Sequence, residues 1–394
     1  MMLRSLLIIL LGATGVLWIT GCAKADVQPA SYPALERVFG NRLGLNAPTV
    51  YSDQAIPNYI TKDVARQRPL DGKRAILGRV LFYDKQLSID NTISCGSCHQ
   101  QPFAFGDTAL VSDGVAGGLT LRHAMRLVNN RFANEQHFFW NERATSLEAQ
   151  TTLPIREHGE MGFSGLNGRP GFAELLKILA EVDYYQELFR FVYGDAAITE
   201  SRLQECLANF VRSIQSFDAK YDAGRSLVNQ EEAPFPNFSA QENLGKSLWI
   251  NRPQFDANGV RIAGGLGCNG CHNAPEFDID PNSGNNGVIG IINASGVDIG
   301  NTKAPSLRDL INDRGDVNGP LMHTGNFSTL KSVIGHYGTI NITRVNTQLD
   351  PRLRPNGLGQ QLQVKSEEVD AVVAFLKTLT GKAIYHDPKW SDPF

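Results

Sequence analysis

The sequence has no surplus of basic residues and few segments that predict β-strands. Its 394 residues include 37 lysines and arginines against 40 aspartates and glutamates, whereas nucleic-acid-binding proteins normally show a basic excess. No nucleic-acid partner is therefore expected. Runs that alternate apolar and polar residues are sparse, while apolar residues at helical spacing are common. The chain is long enough for two domains, each with its own core.

The sequence also leaves no pair of cysteines for a structural disulfide. Of the six cysteines, Cys22 follows an apolar leader segment and four lie in two copies of the pattern C-x-x-C-H. The sixth, Cys206, lies in "SRLQECLANFVRSIQSF", where it shares a helical face with Leu203, Leu207 and Phe210. This spacing predicts a buried, unreactive thiol.

The N-terminal residues resemble an export signal. Arg4 precedes an apolar run that is too short to span a membrane. Residues 1–21 are predicted to be a lipoprotein signal peptide, because the "ITGC" that ends at Cys22 resembles the bacterial lipobox. A lipid on Cys22 would anchor an exported, periplasm-facing protein, and Ala23 favours the outer membrane over the inner one. The alternative is an ordinary signal that leaves Cys22 free. Residues 22–68 are predicted to be a tether.

One pattern occurs twice, separated by the length of a domain. "LGRVLFYDKQLS" precedes the "CGSCH" that ends at His99, and "LGKSLWINRPQF" precedes the "CNGCH" that ends at His272. Each copy begins like an amphipathic helix and then breaks into a loop. The duplication predicts an N-terminal domain over residues 69–235 and a C-terminal domain over residues 236–394. The second domain should close with a helix capped by Ser366.

The C-x-x-C-H pattern predicts a covalently attached c-type haem. Cysteines three apart on a helical turn point to one side, so both can form thioethers with one haem while the adjacent histidine binds the iron. A zinc site would require four grouped ligands, and a thioredoxin-like pair would require a βαβ setting without histidine. Two haems are therefore expected, and their attachment residues are Cys95, Cys98 and His99 for the first and Cys268, Cys271 and His272 for the second.

The segment between the two patterns, "FFWNERATSLEAQTTLPIREHGEMGF", resembles the bacterial dihaem cytochrome c peroxidase and MauG superfamily. The similarity covers roughly Pro69 to Gly381. It includes the family's aromatic-Trp-Asp-Gly-Arg-Ala, Leu-Glu-x-Gln, Pro-Ile and Glu-Met elements, although this chain has Asn141 and Glu142 in place of Asp-Gly. The resemblance implies a mainly α protein with two cytochrome c-like domains, each with one covalently bound c-type haem.

The same resemblance implies roles for four residues of this segment. Trp140 matches an aromatic bridge between the haems, and Pro154 matches the wall of the first haem's pocket. Gln150 and Glu160 match polar residues on the distal side of that haem, and each spacing in the series from Trp140 is ten residues, as in the family. A buried carboxylate beside an open iron can move a proton between the two oxygens of peroxide. Taken singly, a core tryptophan, a surface glutamine and a salt-bridged glutamate are the alternatives.

The loop from Gln100 to Arg122 contains no histidine that could close the first haem. The nearest is His123, which matches a calcium-binding asparagine in relatives. The resemblance therefore implies a first haem that is open on its distal side, as in MauG. Calcium binding stays open as an alternative. Asn318 and Pro320 match positions that supply backbone ligands, but His123 replaces the side-chain ligand.

The second haem's distal ligand is implied by "HTGNFSTLKSVIGHYGTI". In the family this ligand lies fourteen residues after the histidine that here is His323, and that position is Tyr337. Peroxidases of the electron-accepting type have methionine there, whereas MauG has tyrosine. A phenolate ligand would stabilise ferric and higher oxidation states. Met322 and His336 are the alternative ligands.

Three functions compete at this point. The first is reduction of hydrogen peroxide with electrons from a small donor such as a c-type cytochrome. The second is a MauG-like oxidation of a partner protein's side chains, favoured by Tyr337 and the open first haem. The third, plain electron transfer, would leave Gln150 and Glu160 without a purpose. Leu266 occupies the position of a tryptophan that passes holes to MauG's own substrate. Peroxidase is the leading prediction, and a homodimer is an expectation from the family alone.

Overall fold

The computed structural model describes residues 31–394 except for 135–136, 280–282, 293–294, 301 and 304. The predicted signal peptide and Cys22 lie outside the described residues. Helices dominate the described part, and the sheets in it are two antiparallel pairs of short strands. The mainly α prediction is therefore confirmed. None of the described helices is long and apolar enough to cross a membrane.

The secondary-structure elements fall into two groups along the chain. The α-helices of the first half are α1 (Pro33–Phe39), α2 (Thr49–Ser52), α3 (Gly72–Tyr83), α4 (Cys95–Cys98), α5 (Leu147–Arg156), α6 (Phe172–Ala180), α7 (Asp183–Tyr193) and α8 (Glu200–Ser213). The second half has α9 (Lys220–Arg225), α10 (Ala240–Ile250), β1 (Pro253–Phe255), β2 (Arg261–Gly264), β3 (His272–Asn273), β4 (Asp278–Ile279), α11 (Leu330–Gly338) and α12 (Ser366–Lys377). Strand β1 pairs with β2, and β3 pairs with β4.

The first hydrophobic core is built around a close crossing of α3 and α8. Helix α3 begins after Asp71, whose carboxylate accepts hydrogen bonds from the backbone N–H groups of Lys73 and Arg74. At the crossing, a Cβ on Gly78 would lie 1.9 Å from the carbonyl oxygen of Cys206, so only glycine permits this approach. Cys206 is fully buried, and burial raises the pKa of its thiol to about 12. The prediction of a buried thiol is confirmed, and the raised pKa agrees with the predicted lack of reactivity.

The second core repeats this crossing with α10 and α12. A Cβ on Gly245 would lie 1.9 Å from the carbonyl oxygen of Ala371, and Phe375 packs one turn further on, as Phe210 does in the first core. The sequence duplication is thus a structural repeat. Helix α12 begins at Ser366, but the capping position is Lys365, whose backbone N–H donates to Glu368. The predicted cap is wrong by one residue.

The predicted tether over residues 22–68 is wrong from Pro33 onward. Leu35, Phe39 and Tyr51 are buried in the first core, since α1 and α2 bring apolar side chains onto α3 and α7. A flexible linker cannot bury such side chains. These residues therefore belong to the first folded unit.

The predicted domain boundary at residue 235 also needs correction. Tyr221 and Phe235 pack in the second core, so that core begins before the predicted boundary. Conversely, Trp390, which lies in the range predicted for the C-terminal domain, packs in the first core. Its backbone carbonyl accepts a hydrogen bond of 2.7 Å from the Tyr83 hydroxyl. Each core therefore takes residues from the range predicted for the other.

Candidate functional site

The first C-x-x-C-H segment forms one helical turn that ends at an oriented histidine. Ser94 and Ser97 cap α4 reciprocally, with the Ser94 N–H donating to the Ser97 hydroxyl at 3.0 Å. The His99 Nδ1 lies 3.1 Å from the Phe105 carbonyl oxygen, and burial lowers the pKa of His99. The ring is therefore neutral, with Nδ1–H as donor, and Nε2 is the nitrogen that would bind a metal.

A cavity of about 390 Å³ brings this segment together with the residues predicted for the distal side. Cys95, Cys98 and His99 line it, and so do Trp140, Gln150, Pro154 and Glu160. Gln150 and Pro154 are one turn apart on α5 and therefore share a face. Glu160 follows in the turn after the helix. The structure thus assembles all four residues in one cavity.

The Glu160 carboxyl group has an unusual protonation equilibrium. Burial and, to a smaller extent, the nearby Glu157 carboxylate raise its pKa while the Arg143 guanidinium lowers it, and the net pKa is about 7. Arg143 and Glu157 line the same cavity. A carboxyl group with a pKa near neutrality can both accept and donate a proton at physiological pH. This geometry suits a general acid–base group.

The loop without histidine packs directly on the turn that holds Glu160. A Cβ on Gly114 would lie 1.8 Å from the Gly159 carbonyl oxygen, and the Val115 N–H donates to the Glu160 carbonyl at 2.9 Å. The next residue that could block the site, His123, has its Nδ1 3.0 Å from the Ala109 carbonyl oxygen. Burial lowers the pKa of His123 to about 4. The loop therefore fixes the backbone of Glu160 and contributes no histidine to the first cavity.

The second C-x-x-C-H segment lines a larger cavity, of about 530 Å³. Cys268, Cys271 and His272 face it. The indole of Trp249 packs on His272 with ring centroids 6.0 Å apart, and its Nε1 donates to the His272 carbonyl at 3.4 Å. Burial lowers the pKa of His272 to about 4, and its Nδ1 is buried without a hydrogen-bond partner in the described residues. His272 is thus neutral, but it lacks the backbone acceptor that His99 has.

Two candidate ligands meet in this second cavity. Tyr337 and Met322 both line it. The Asn286 side-chain nitrogen lies 3.4 Å from the Tyr337 hydroxyl and 3.5 Å from the Met322 sulfur. The third candidate, His336, points its Nε2 at the Asn286 carbonyl oxygen, 2.9 Å away. The geometry therefore keeps Tyr337 and Met322 as candidates and argues against His336.

The candidate calcium residues are near each other in sequence but differ in their surroundings. Asn318 is fully buried, and its amide donates to the Asp309 carbonyl at 2.9 Å and to the Tyr385 hydroxyl at 3.1 Å. Pro320 lines the second cavity. Within the described residues, no three His, Cys, Asp or Glu side chains are grouped as metal ligands. Any calcium there would depend on carbonyl oxygens of the backbone or of the Asn318 side chain, whose Oδ1 is buried without a hydrogen-bond partner in the described residues.

Trp140 lies in the wall that the two cavities share. It lines both of them, together with His123, Ala124, Met125 and Lys303. Its Nε1 donates to the His123 carbonyl at 2.7 Å, and its own carbonyl accepts from the Lys303 N–H at 2.9 Å. The turn that presents it includes Glu142 at a φ of +58°, a conformation that favours glycine. This position, in contact with both cavities, is compatible with a bridge between them.

Sequence reasoning missed several residues of these cavities. Arg143 lies inside the recognised motif, and Glu157 lies three residues before Glu160, so both could have been found from spacing. Asn286 and Lys303 reach the second cavity through long loops. No local pattern marks them, because their positions depend on tertiary packing.

The residues present fit a haem in each cavity. The four cysteines line the two cavities, and both histidines are neutral. The volumes of about 390 and 530 Å³ lie in the range of about 300–1,000 Å³ that is typical of sites for small molecules and cofactors.

Comparisons with known proteins agree with this geometry. A family described as Di-haem cytochrome c peroxidase matches residues 72–230. The methylamine utilization protein MauG of Methylophilus methylotrophus is 27% identical over 80% of this chain and 85% of its own length. The cytochrome c551 peroxidase of Nitrosomonas europaea is 26% identical over 79% of this chain and 81% of its own.

A solved structure extends the match to the fold. The crystal structure of a MauG-like protein associated with microbial copper homeostasis superposes with a TM-score of 0.64. That protein is 26% identical, and the match covers 86% of this chain and 98% of the other. Residues 72–230 therefore match the dihaem cytochrome c peroxidase family, the chain as a whole is similar to its peroxidases and to MauG, and these similarities indicate a haem oxidoreductase of the peroxidase type.

Proposed function

We propose that this protein reduces hydrogen peroxide at the cavity that contains His99, with electrons relayed from the cavity that contains His272. Cys95 and Cys98 would hold one haem and Cys268 and Cys271 the other, each covalently, with the two histidines as iron ligands. The haems would supply redox-active iron. The observation that carries the proposal is the position of Glu160 in the first cavity with a pKa of about 7.

The chain's own residues would then manage the protons. The Glu160 carboxylate accepts a proton from one oxygen of bound peroxide and returns it to the other, which leaves as water. Gln150 offers an amide donor beside it, and Pro154 contributes an apolar wall without an N–H donor. Two electrons and two protons convert one peroxide into two waters. Trp140, in the shared wall, would couple the two cavities.

The electron source would be a small protein such as a c-type cytochrome. A steady-state assay of the purified holoprotein with peroxide and reduced cytochrome c would test this. Peroxide-dependent oxidation of the cytochrome should occur, and Glu160→Gln should abolish most of it. No cytochrome oxidation, together with rapid reaction of peroxide with the protein, would contradict the peroxidase proposal.

The second candidate is a MauG-like oxidation of a partner protein, and Tyr337 is the observation that favours it. A tyrosine in the second cavity suits a site that holds oxidising equivalents better than one that accepts electrons. Leu266, only 6% exposed, lines that cavity and provides no aromatic exit at its position. The cytochrome assay above separates the two functions.

Haem attachment has a direct test. Replacing both Cys268 and Cys271 with alanine should halve the haem content per chain, measured on denaturing gels and by pyridine haemochrome. Cys206→Ala is the matched control, because that thiol is buried between α3 and α8 away from both cavities. Full haem content in the double variant would contradict the assignment.

Three further elements of the proposal rest on the sequence and the family. A lipid on Cys22 would hold the protein at a periplasm-facing membrane surface, with the outer membrane favoured. Calcium would bind through backbone groups near Asn318 and Pro320. A homodimer is proposed from the family alone.

A further inference from the structure

Arg126 is a buried arginine that has no hydrogen-bond acceptor among the described residues. It is 7% exposed, and within the described residues its guanidinium makes no hydrogen bond or ion pair. Its stem crosses Gly106 so closely that a Cβ there would lie 2.9 Å from Arg126 Cγ. The side chain is therefore held in one place. It lines the second cavity, but not the first.

The other buried arginines of the described chain all have acceptors. Arg308 donates to Asp222 at 2.8 Å, Arg131 to Asp63 at 2.7 Å, and Arg212 to Glu148 at 2.7 Å. Arg79 donates to the Ser391 carbonyl at 2.6 Å. A buried guanidinium normally requires such partners, because removal from water is costly for an unpaired charge.

Asp309 does not fill this role. Its charge acts on Arg126 through space, but its Oδ1 accepts from the Gly381 N–H at 2.8 Å and the Tyr385 hydroxyl at 3.0 Å, and no hydrogen bond joins it to Arg126 in the described residues. Burial lowers the pKa of Arg126 to about 10 and raises that of Asp309 to about 6. At neutral pH the guanidinium is still charged and needs an anion.

We propose that Arg126 binds a carboxylate of the haem in the second cavity. A haem presents two propionate groups, and the planar guanidinium is suited to a bidentate contact with one of them. The contact would fix the haem against the wall formed by residues 123–126, which also contacts Trp140. The positive charge would favour the reduced state of that haem.

This inference rests on the proposed second haem, so haem content is measured first. Arg126→Gln should keep both haems attached and lower the ferrous-to-ferric ratio of the second haem at a fixed potential by about tenfold, or about 59 mV for one electron. The ferrous-to-ferric ratio of the first haem should change much less. Arg126→Lys, which keeps the charge, should recover most of the effect.

Arg252→Gln is the matched control, since Arg252 lines the same cavity but is exposed and therefore screened by solvent. Equal shifts in the Arg126 and Arg252 variants, or no shift in either, would overturn the inference while leaving two haems per chain. One haem in the unmodified protein would overturn the proposed function as well. If Arg126→Gln loses the second haem, the contact is tested instead by resonance Raman spectra of Arg126→Lys. Propionate bands that differ from those of the unmodified protein support the contact, and unaltered bands refute it.

A free anion is the other source of the same chemistry. If the potential of the second haem in the unmodified protein follows the phosphate concentration, and that of Arg126→Gln does not, Arg126 binds a solute anion instead of the haem carboxylate. A potential that does not depend on phosphate supports the haem contact.

Discussion

At the scale of single residues, Glu160 depends on two charged neighbours that set its pKa in opposite directions. Its carboxylate form is the one that can accept a proton from peroxide, so the rate of reaction with peroxide should rise with pH through about 7. Glu157→Gln removes a like charge and should move this midpoint to lower pH. Arg143→Gln should move it to higher pH. Stopped-flow measurements between pH 5 and pH 9 would show both shifts.

Glu174→Gln is the control for these variants, because Glu174 is exposed on α6 and pairs with Lys177. Glu160→Gln should lose on the order of 100-fold in rate, together with the pH dependence. A wild-type rate in that variant would return Glu160 to a structural role.

The same pKa predicts an effect on stability with a definite sign. Because the folded pKa of about 7 exceeds the ordinary 4.5 of glutamate, the unfolded state ionises first as pH rises. The free energy of unfolding should therefore fall between about pH 4.5 and pH 7. Glu160→Gln does not show this loss of stability. The difference between its thermal midpoint and that of the unmodified protein should therefore be more positive at pH 8 than at pH 5. A constant difference across this range would contradict the raised pKa.

Tyr337 is the second residue whose role can be tested alone. Burial raises the pKa of its phenol, so a phenolate there would need a ferric iron as its counter-charge. Tyr337→Phe should change the resting spectrum of one haem, whereas His336→Phe should not, since His336 points at the Asn286 carbonyl. If Tyr337→Phe is silent and Met322→Leu is not, Met322 is the ligand. The protein would then resemble the electron-accepting peroxidases more closely.

At the scale of helices, the two close crossings should be equally intolerant of a methyl group. Gly78→Ala and Gly245→Ala would each place a Cβ 1.9 Å from a carbonyl oxygen, so each should lower the free energy of unfolding by about 3 kcal/mol. Gly335→Ala in α11 is the control, because no atom lies within 4 Å of its added Cβ. It should be neutral or stabilise by up to about 1 kcal/mol. Tolerance of alanine at position 78 or 245 would contradict the packing of the cores.

The helices also show what the sequence could predict. The spacing of apolar residues predicts the helices that begin with the repeated "LG" segments and the buried helical face that contains Cys206. The structure shows these faces buried at the two helix crossings. Whether α1 packs on the folded body or forms a flexible tether depends on its contacts with α7, which is far away in sequence. The same holds for Arg126 and Lys303, whose surroundings are set by loops from both halves of the chain. Contacts between residues so far apart in sequence leave no periodic pattern from which they could be predicted.

At the scale of the whole molecule, the two cores are tied together by chain segments that cross between them. The last residues return to the first core, where Tyr51 and Arg79 each donate a hydrogen bond of 2.6 Å to backbone carbonyls of Lys389 and Ser391. Across the cavities, the His123 N–H donates to the His323 carbonyl at 3.0 Å. These links keep both cavities against one wall, which is the arrangement that electron sharing requires.

Trp140 is the part of that wall whose chemistry can be separated from its packing. Electron tunnelling falls steeply with distance, so an aromatic ring between two haems speeds transfer. Trp140→Phe replaces the indole with a smaller phenyl ring and removes the hydrogen bond to the His123 carbonyl. It should slow electron transfer between the haems about tenfold or more, measured by rapid reduction of one haem and observation of the other. Haem content and the pH profile set by Glu160 should not change.

Trp249→Phe provides the matched comparison for this last prediction. Trp249 packs on His272 and lines the second cavity, but it does not line the first. Its replacement should alter the spectrum of the second haem and leave the rate of transfer between the haems within about twofold of wild type. If Trp249→Phe slows transfer and Trp140→Phe does not, the path between the cavities avoids the shared wall. Lys303 and residues 123–125 would then shape the two cavities without carrying electrons between them.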